Sequence, residues 1–556
     1  MSSTSVDVLI VGSGPTGLVT ALTLAQNGVS VRVVEKLPYF PRGQRGSGIM
    51  PRTLEVYQFL GCLEDVKTVG IPPVEYLQWV DGKPAQTMPV MVYEEPTPAI
   101  PERNYWLLGQ DAACRILRDH LKMYGVEVEV ATQLVSLDQT DEQVVGRVVK
   151  STLGEEIEEE ITAKYVVGAD GAKGVVRKLL GLTFLGETRD AVRVLIGDIE
   201  AWGLDHRHWH KFGDAPQDGF MLRPSDRGDE NIFFLACFGP NLDYVRALTD
   251  HDYLREFMYN LSHLPDLKLG KVESVGDYRP SIRLANSFRK GRAFIAGDAA
   301  HVHSVTGGQG MNSSIMDAFN LGWKLALACK GLASPILLDT YDTERVPVIK
   351  EMLERTTAIL NSTYAKEKPT KVSPWLRPTQ LKQLGVHYRW SPIVLDEQVD
   401  ELGTTDKDKA RQETASTYVV EDGDRLHAGD RAPDAPGLID IKSEDARRLF
   451  EIYRPEYHTV LIFSASDGTT VDAVLAALEH YPKGLIRSAV IRPQRSTVPA
   501  KGADLVLQDK ETYAYNEYGM KQDSTGVAVV RPDGIIGALV GGAPGIKKYF
   551  SGIFSA

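Results

Sequence analysis

The sequence predicts an α/β protein: a doubly wound parallel sheet interrupted by a β-rich insert, followed by a second α/β unit. Three observations carry this. An apolar strand, Asp7 to Val11, runs directly into Gly12-Ser-Gly14-Pro-Thr-Gly17 and a stretch of helical spacing. Two further apolar strands, far downstream, end on acids at Asp170 and Asp298. Between them the chain breaks into short strand-like runs.

At 556 residues the chain exceeds one ordinary core, and two or three domains are expected. Its net charge of −12 argues against a nucleic-acid footprint. Four scattered cysteines (Cys62, Cys114, Cys237, Cys329) form neither a disulfide framework nor a zinc motif, so a reducing, cytoplasmic setting is expected. The apolar run near the start lacks a preceding basic residue and is too short to span a bilayer. Neither a secretory leader nor a membrane span is expected.

The first strand and its glycines read as a Rossmann-type dinucleotide motif. Gly12 allows a tight turn, Gly14 lets a pyrophosphate approach the backbone, and Gly17 lets helix and strand pack closely. Leu18, Ala21, Leu22 and Ala25 fall at i, i+3, i+4 and i+7, and the helix start offers N–H donors to phosphate. A second strand, Val29 to Val34, ends on Glu35 and Lys36, where an acid can accept from ribose hydroxyls. This fixes an ADP-containing cofactor without choosing between NAD and FAD.

The later motifs choose. Tyr165-Val-Val-Gly-Ala-Asp170-Gly171 precedes a segment carrying Arg177, and Ala293-Phe-Ile-Ala-Gly297-Asp298 closes a third strand. With these in place the chain resembles the class A flavoprotein monooxygenases, the aromatic hydroxylases of the para-hydroxybenzoate hydroxylase and phenol hydroxylase type. The resemblance covers roughly Val6 to Arg345, and more weakly the carboxy terminus. It implies a glutathione reductase-like FAD-binding fold, with FAD as cofactor, NAD(P)H and O2 as co-substrates, and a flavin C4a-hydroperoxide as oxidant. Asp298 inherits the ribityl and ribose side, Asp170 and Arg177 a mixed role toward FAD and NAD(P)H. Arg45 inherits a phosphate and ribityl contact, Gln110 a ribityl bond, and Leu134 a backbone contact with adenine.

The stretch Gly307-Gly308-Gln309-Gly310-Met311-Asn312 opens an apolar helix. Its N–H groups and dipole would set positive charge against the flavin pyrimidine edge, and its glycines let the ring come close. His301 and His303, and the run Asp205-His206-Arg-His208-Trp-His210, have no convincing metal spacing, so no metal is expected. Two departures from the family stand out. Relatives usually carry Pro at the place of Val305, whose backbone carbonyl faces substrate, and an acid at the place of Ser47. Arg45, Ser47 and the Val305 backbone are the catalytic candidates.

The insert is expected to be the family's substrate sheet. Leu222, Arg223, Phe234, Ala236 and Phe238 are the substrate candidates, in an apolar pocket suited to a substituted phenol. The expected limits are 1–180 and 286–360 for the FAD-binding domain, 181–285 for the substrate domain and 361–424 for a connecting segment. Residues 425–556 resemble the thioredoxin-like tail of phenol hydroxylase relatives. No cysteine follows Cys329, so a structural or dimer-interface role is expected there. Hydroxylation of a phenolic ring is the leading function. Decarboxylative hydroxylation of a para-hydroxybenzoate, and a redox-sensing or scaffold flavoprotein, stand beside it.

Overall fold

The computed structural model describes residues 3–555 apart from 153, 191, 228–229, 305–306, 364–375, 401–415, 419–424, 465–467, 495 and 497–499. Its first sheet has a parallel core in the order Ala293–Ile295, Glu155–Gly168, Ser3–Val11, Val31–Val34, Val128–Glu129. Val8, Leu9 and Ile10 are wholly buried, as befits a strand covered on both faces. The first helix, Pro15–Gln26, starts immediately after the glycines and is buried along nearly its whole length. It packs between the helices Gln110–Lys122 and Gly310–Cys329.

The second sheet lies over the open end of the first. Its strand order is Lys268–Tyr278, Val194–Trp202, Ile232–Phe238, Gly219–Pro224, His208–Gly213, Glu75–Val80, Lys83–Pro89. The last two come from the segment read as part of the first FAD-binding stretch. They join through Asp81 and Gly82, both at positive φ (50° and 69°), a two-residue hairpin that matches strand twist. One face of this sheet is sealed by the helix His251–Ser262 through Leu254 and Met258. The other face looks onto the first sheet.

A third, mixed sheet forms the carboxy-terminal unit. Strands His458–Phe463, Ile486–Pro493 and Leu505–Asp509 are parallel; Gly526–Val530 runs antiparallel to His458–Phe463, and Ile536–Val540 antiparallel to Gly526–Val530. Most of the segment 361–424 lies outside the described residues, though Leu395–Asp396 adds a parallel edge to Ile536–Val540. This unit docks through buried charge. Glu344 accepts from Lys324 at 2.7 Å and from Arg531 at 2.8 and 3.0 Å, while Arg531 also reaches Asp533 at 2.5 Å. Asn320 and Ser391 supply further bonds to Glu344, at 2.6 Å each. Each charge has a partner, which is what makes so dry a cluster tolerable.

Candidate active site

One cavity of about 980 Å³ runs between the first two sheets, from the glycine turn to the strands Gly219–Pro224 and Ile232–Phe238. Its far end is built as the motif demands. Gly12 sits at φ +107°, and a Cβ there would lie 2.3 Å from the Ala169 carbonyl oxygen. A Cβ on Gly17 would lie 2.0 Å from the Gly12 oxygen, so Gly17 serves helix–strand packing and does not line the cavity. Gly14 lines it, and nothing stands within 4 Å of where its side chain would be. The helix behind has no acid in its first turn, leaving its N–H groups for an anion. Glu35 accepts from the Ser13 N–H (3.1 Å) and hydroxyl (3.0 Å) and from the Leu37 N–H (3.1 Å), which fixes its carboxylate at the end of its strand. Lys36 and Leu134 line the same end.

The middle of the cavity holds Arg45, Gln110, Asp170 and Asp298. Asp170 accepts from the Val175 and Val176 N–H groups at 2.5 and 3.1 Å, while its other oxygen is buried without a partner. Asp298 follows Gly297, at φ +61°, is exposed, and lines the cavity. Burial in the surrounding protein pushes its pKa up. Arg177 is turned away, donating to the Ala299 and Ala172 carbonyls at 2.6 and 2.7 Å, so it shapes the turns rather than the cavity.

At the doorway, Gly308, Gly310 and Met311 line the cavity. Asn312 does not. Its side chain is wholly buried, accepting from the Met50 N–H (2.8 Å) and donating to the Gly48 (2.8 Å) and Gly308 (2.7 Å) carbonyls. It ties the Ser47 loop to the helix start. The helix Gly310–Cys329 carries no acid in its first turn. His301 is held by Asp317 at 2.6 Å, which Arg345 meets at 2.7 Å, an interior network. His303 lines the cavity with its Nδ1 2.6 Å from the Ser304 carbonyl, and burial pushes its pKa down to about 4. Val305 lies outside the described residues.

The near end is apolar. Phe234, Ala236 and Phe238 line it, as expected, joined by Tyr76, Tyr105, Trp209 and Met221. Leu222 is a correction. Strand side chains alternate, so Met221 and Arg223 face the cavity and Leu222 packs into the opposite core. Trp209 and Tyr76 were missed; the Asp81-Gly82 turn was the available sign that residues 75–89 belong to this sheet. Arg223 is 1% exposed. It donates to Ser47 Oγ at 2.5 Å, Gln44 Oε1 at 3.4 Å and the Pro224 carbonyl at 3.2 Å. Phe234 and Trp209 present ring faces to it at 5.0 and 5.5 Å. Burial pushes its pKa down to about 10.

These residues fit an elongated flavin dinucleotide: an open cradle at Gly14, two helix starts at one groove, and a carboxylate at Asp298 exposed and lining it. Comparison with known proteins agrees. Residues 5–356 match the FAD binding domain family. A flavin-dependent monooxygenase of Mycobacteroides abscessus is 34% identical, over 85% of this chain and 92% of its own length. Pentachlorophenol 4-monooxygenase of Sphingobium chlorophenolicum is 30% identical, over 96% and 94%. The flavin-dependent monooxygenase PieE, solved with FAD and substrate, shares the fold with a TM-score of 0.79 at 21% identity, covering 98% of this chain and 97% of its own. Aklavinone-11 hydroxylase, solved with FAD and aklavinone, does so at 0.77 and 24%, covering 99% of each. The chain belongs to the FAD binding domain family, and within it to the FAD-dependent monooxygenases.

Proposed function

We propose that the protein hydroxylates a phenolic aromatic substrate, with NAD(P)H as hydride donor and O2 as oxygen source. The observation that carries this reading is continuity: the aromatic-walled end opens onto the doorway helix within one cavity. FAD bound in the groove supplies the hydride-accepting and oxygen-activating chemistry. Gly14 and the first helix would hold its phosphates, Glu35 its adenosine ribose, and Asp298 the ribityl side. The N–H groups at Gly310 and Met311 would offset negative charge on the ring's pyrimidine edge. Met221, Phe234, Ala236 and Phe238 exclude water from the reacting face. The name of the Sphingobium relative, pentachlorophenol 4-monooxygenase, accords with a phenolic ring.

The carboxy-terminal unit we read as thioredoxin-like, in support of which its parallel strands continue into an antiparallel pair with helices Thr469–Leu478 and Ala543–Ser551 packed together. Without cysteine it has no thiol chemistry, and its buried charges give it a structural role. Among the described residues no helix is long and apolar enough to cross a membrane. The test of function is turnover. FAD-loaded protein should oxidise NADPH or NADH faster when a phenol is added, and product formed under oxygen-18 gas should carry one labelled atom. No phenol-stimulated oxidation across phenols and hydroxybenzoates would sink the reading.

A further inference from the structure

A helix N-terminus is ordinarily capped: a polar side chain beside it folds back and takes free N–H groups. The helix Gly310–Cys329 is not. Its N-cap residue is Gln309, which makes no capping bond. The N–H groups of Gly310, Met311 and Asn312 meet no acceptor among the described residues. The polar side chains around this start are all drawn elsewhere. Asn312 is spent on Met50, Gly48 and Gly308. Gln309 is wholly buried, and its Nε2 donates to the Gly307 and Leu381 carbonyls at 2.9 Å each. Its Oε1 and the Ser313 hydroxyl oxygen both accept from Gln383 Nε2, at 2.7 and 3.0 Å. The amide orientations are dictated. Backbone carbonyls only accept, so Gln309 turns its NH2 to them and its oxygen to Gln383, whose NH2 must face it in return.

Gln383 reaches this place at a cost. It is almost wholly buried, its backbone sits at φ +63°, and its Oε1 is enclosed without a partner. A left-handed non-glycine residue and an orphaned carbonyl each cost stability, and persist only where the surroundings impose them. The surroundings are a strap, residues 376–391, anchored on both sides of Gln383. Before it, the Arg377 N–H donates to the Val90 carbonyl at 2.8 Å. After it, the Tyr388 N–H donates to the Gly429 carbonyl at 2.8 Å, and the Tyr388 hydroxyl accepts from Arg345 at 2.8 Å. Gln383 lies beyond residues 5–356, the part of the chain that matches the FAD binding domain family.

We propose that Gln383 is a positioning residue for the flavin site: by holding the Gln309 side chain, it keeps the doorway helix uncapped and its first N–H groups free for the cofactor. This rests on the reading of that helix start as the partner of the ring's pyrimidine edge. Gln309 lines the cavity and Gln383 does not, so the effect of Gln383 passes through its neighbour. Without Gln383 the Gln309 oxygen loses its donor, and the unbonded N–H groups beside it can satisfy it. An N–H so occupied offers less positive potential to negative charge in the cavity.

The experiment is the two-electron reduction potential of FAD in the loaded protein, measured against a reference dye, with the melting temperature beside it. Gln383→Met keeps the size and removes the donor. It should cut the preference for reduced over oxidised FAD about tenfold, a potential about 30 mV more negative. In a Gln309→Met background the same substitution should shift nothing, because the oxygen through which it acts is gone. Gln383→Gly, which suits the positive φ, carries the test if Gln383→Met does not fold. Met311→Glu sets an acid in the first helical turn and should lower the potential whatever Gln383 does. A lowered melting temperature with an unchanged potential is what a merely structural Gln383 would give, and it overturns the proposal. So does a shift that survives in the Gln309→Met background. In both cases a response to Met311→Glu leaves the reading of the helix start standing. A potential that Met311→Glu does not move overturns that reading, and the proposal with it.

Discussion

Asp298 is a carboxylate exposed in the cavity, to which the folded chain gives no hydrogen-bond partner among the described residues. It is open to the cavity, so its value to the protein is realised when FAD arrives. Asp298→Ala should weaken FAD binding by about ten- to hundredfold, the scale of a lost hydrogen bond to a charged acceptor. The sign for stability runs the other way. An acid whose pKa is raised by burial destabilises the fold as pH climbs through its ordinary range, because the unfolded chain ionises more readily. The FAD-free variant should therefore melt at neutral pH no lower than the FAD-free wild type; a clear drop would show that Asp298 supports the protein itself. Residues of this kind were legible in the sequence, since Gly12, Glu35 and Asp298 each end a strand where the backbone turn dictates the residue type. Asn312 was legible as polar but misplaced in role: the three bonds it makes go to the protein, and no spacing rule shows that.

At the scale of an element, the strand Gly219–Pro224 shows where reading from sequence stops. It is buried on both faces, so hydrophobicity carries no phase, and only the structure shows that Met221 and Arg223 look one way and Leu222 the other. The two faces give opposite predictions. Leu222→Ala should cost about 2–5 kcal/mol of stability with little change in ligand affinity. Met221→Ala should shift substrate affinity or preference while the melting temperature changes less. Thermal melts paired with ligand titrations separate the two, and the reverse pattern would mean that the register is wrong. The strands Glu75–Val80 and Lys83–Pro89 were legible in principle through Asp81-Gly82. The second of them is too polar and exposed to look like part of a substrate sheet.

At the scale of the whole molecule, stability is concentrated where distant segments meet. Lys324, Glu344, Arg531 and Asp533 are all fully or almost fully buried, and their pairing joins residues 187 positions apart in the chain. Nothing local announces such partners, which is why the docking of the carboxy-terminal unit could not be read from the sequence. Arg531→Met leaves Asp533 and Glu344 short of counter-charge and should cost about 3–5 kcal/mol, seen as a lowered melting temperature. Acid attacks the molecule by another route. Burial holds His387 down to about 4 and His458 to about 3, below the ordinary 6.5, so each is neutral when folded and takes a proton when unfolded. Stability should fall as pH drops from about 6.5 toward 4, because the unfolded chain binds more protons over that window. His458→Leu, within its cage of Trp323, Tyr549 and Phe550, should flatten part of that slope.

The helix Gly310–Cys329 begins at the doorway of the cavity and carries Lys324 into the carboxy-terminal charge cluster near its other end. For protein engineers this sets the seam along which relatives can be recombined. A chimaera that takes its carboxy-terminal unit from another monooxygenase must keep the acid at position 344 that residue 531 pairs with, and the lysine at 324 that shares that acid. A crossover placed between them would leave the native cavity on a helix whose far end no longer matches the unit docked against it.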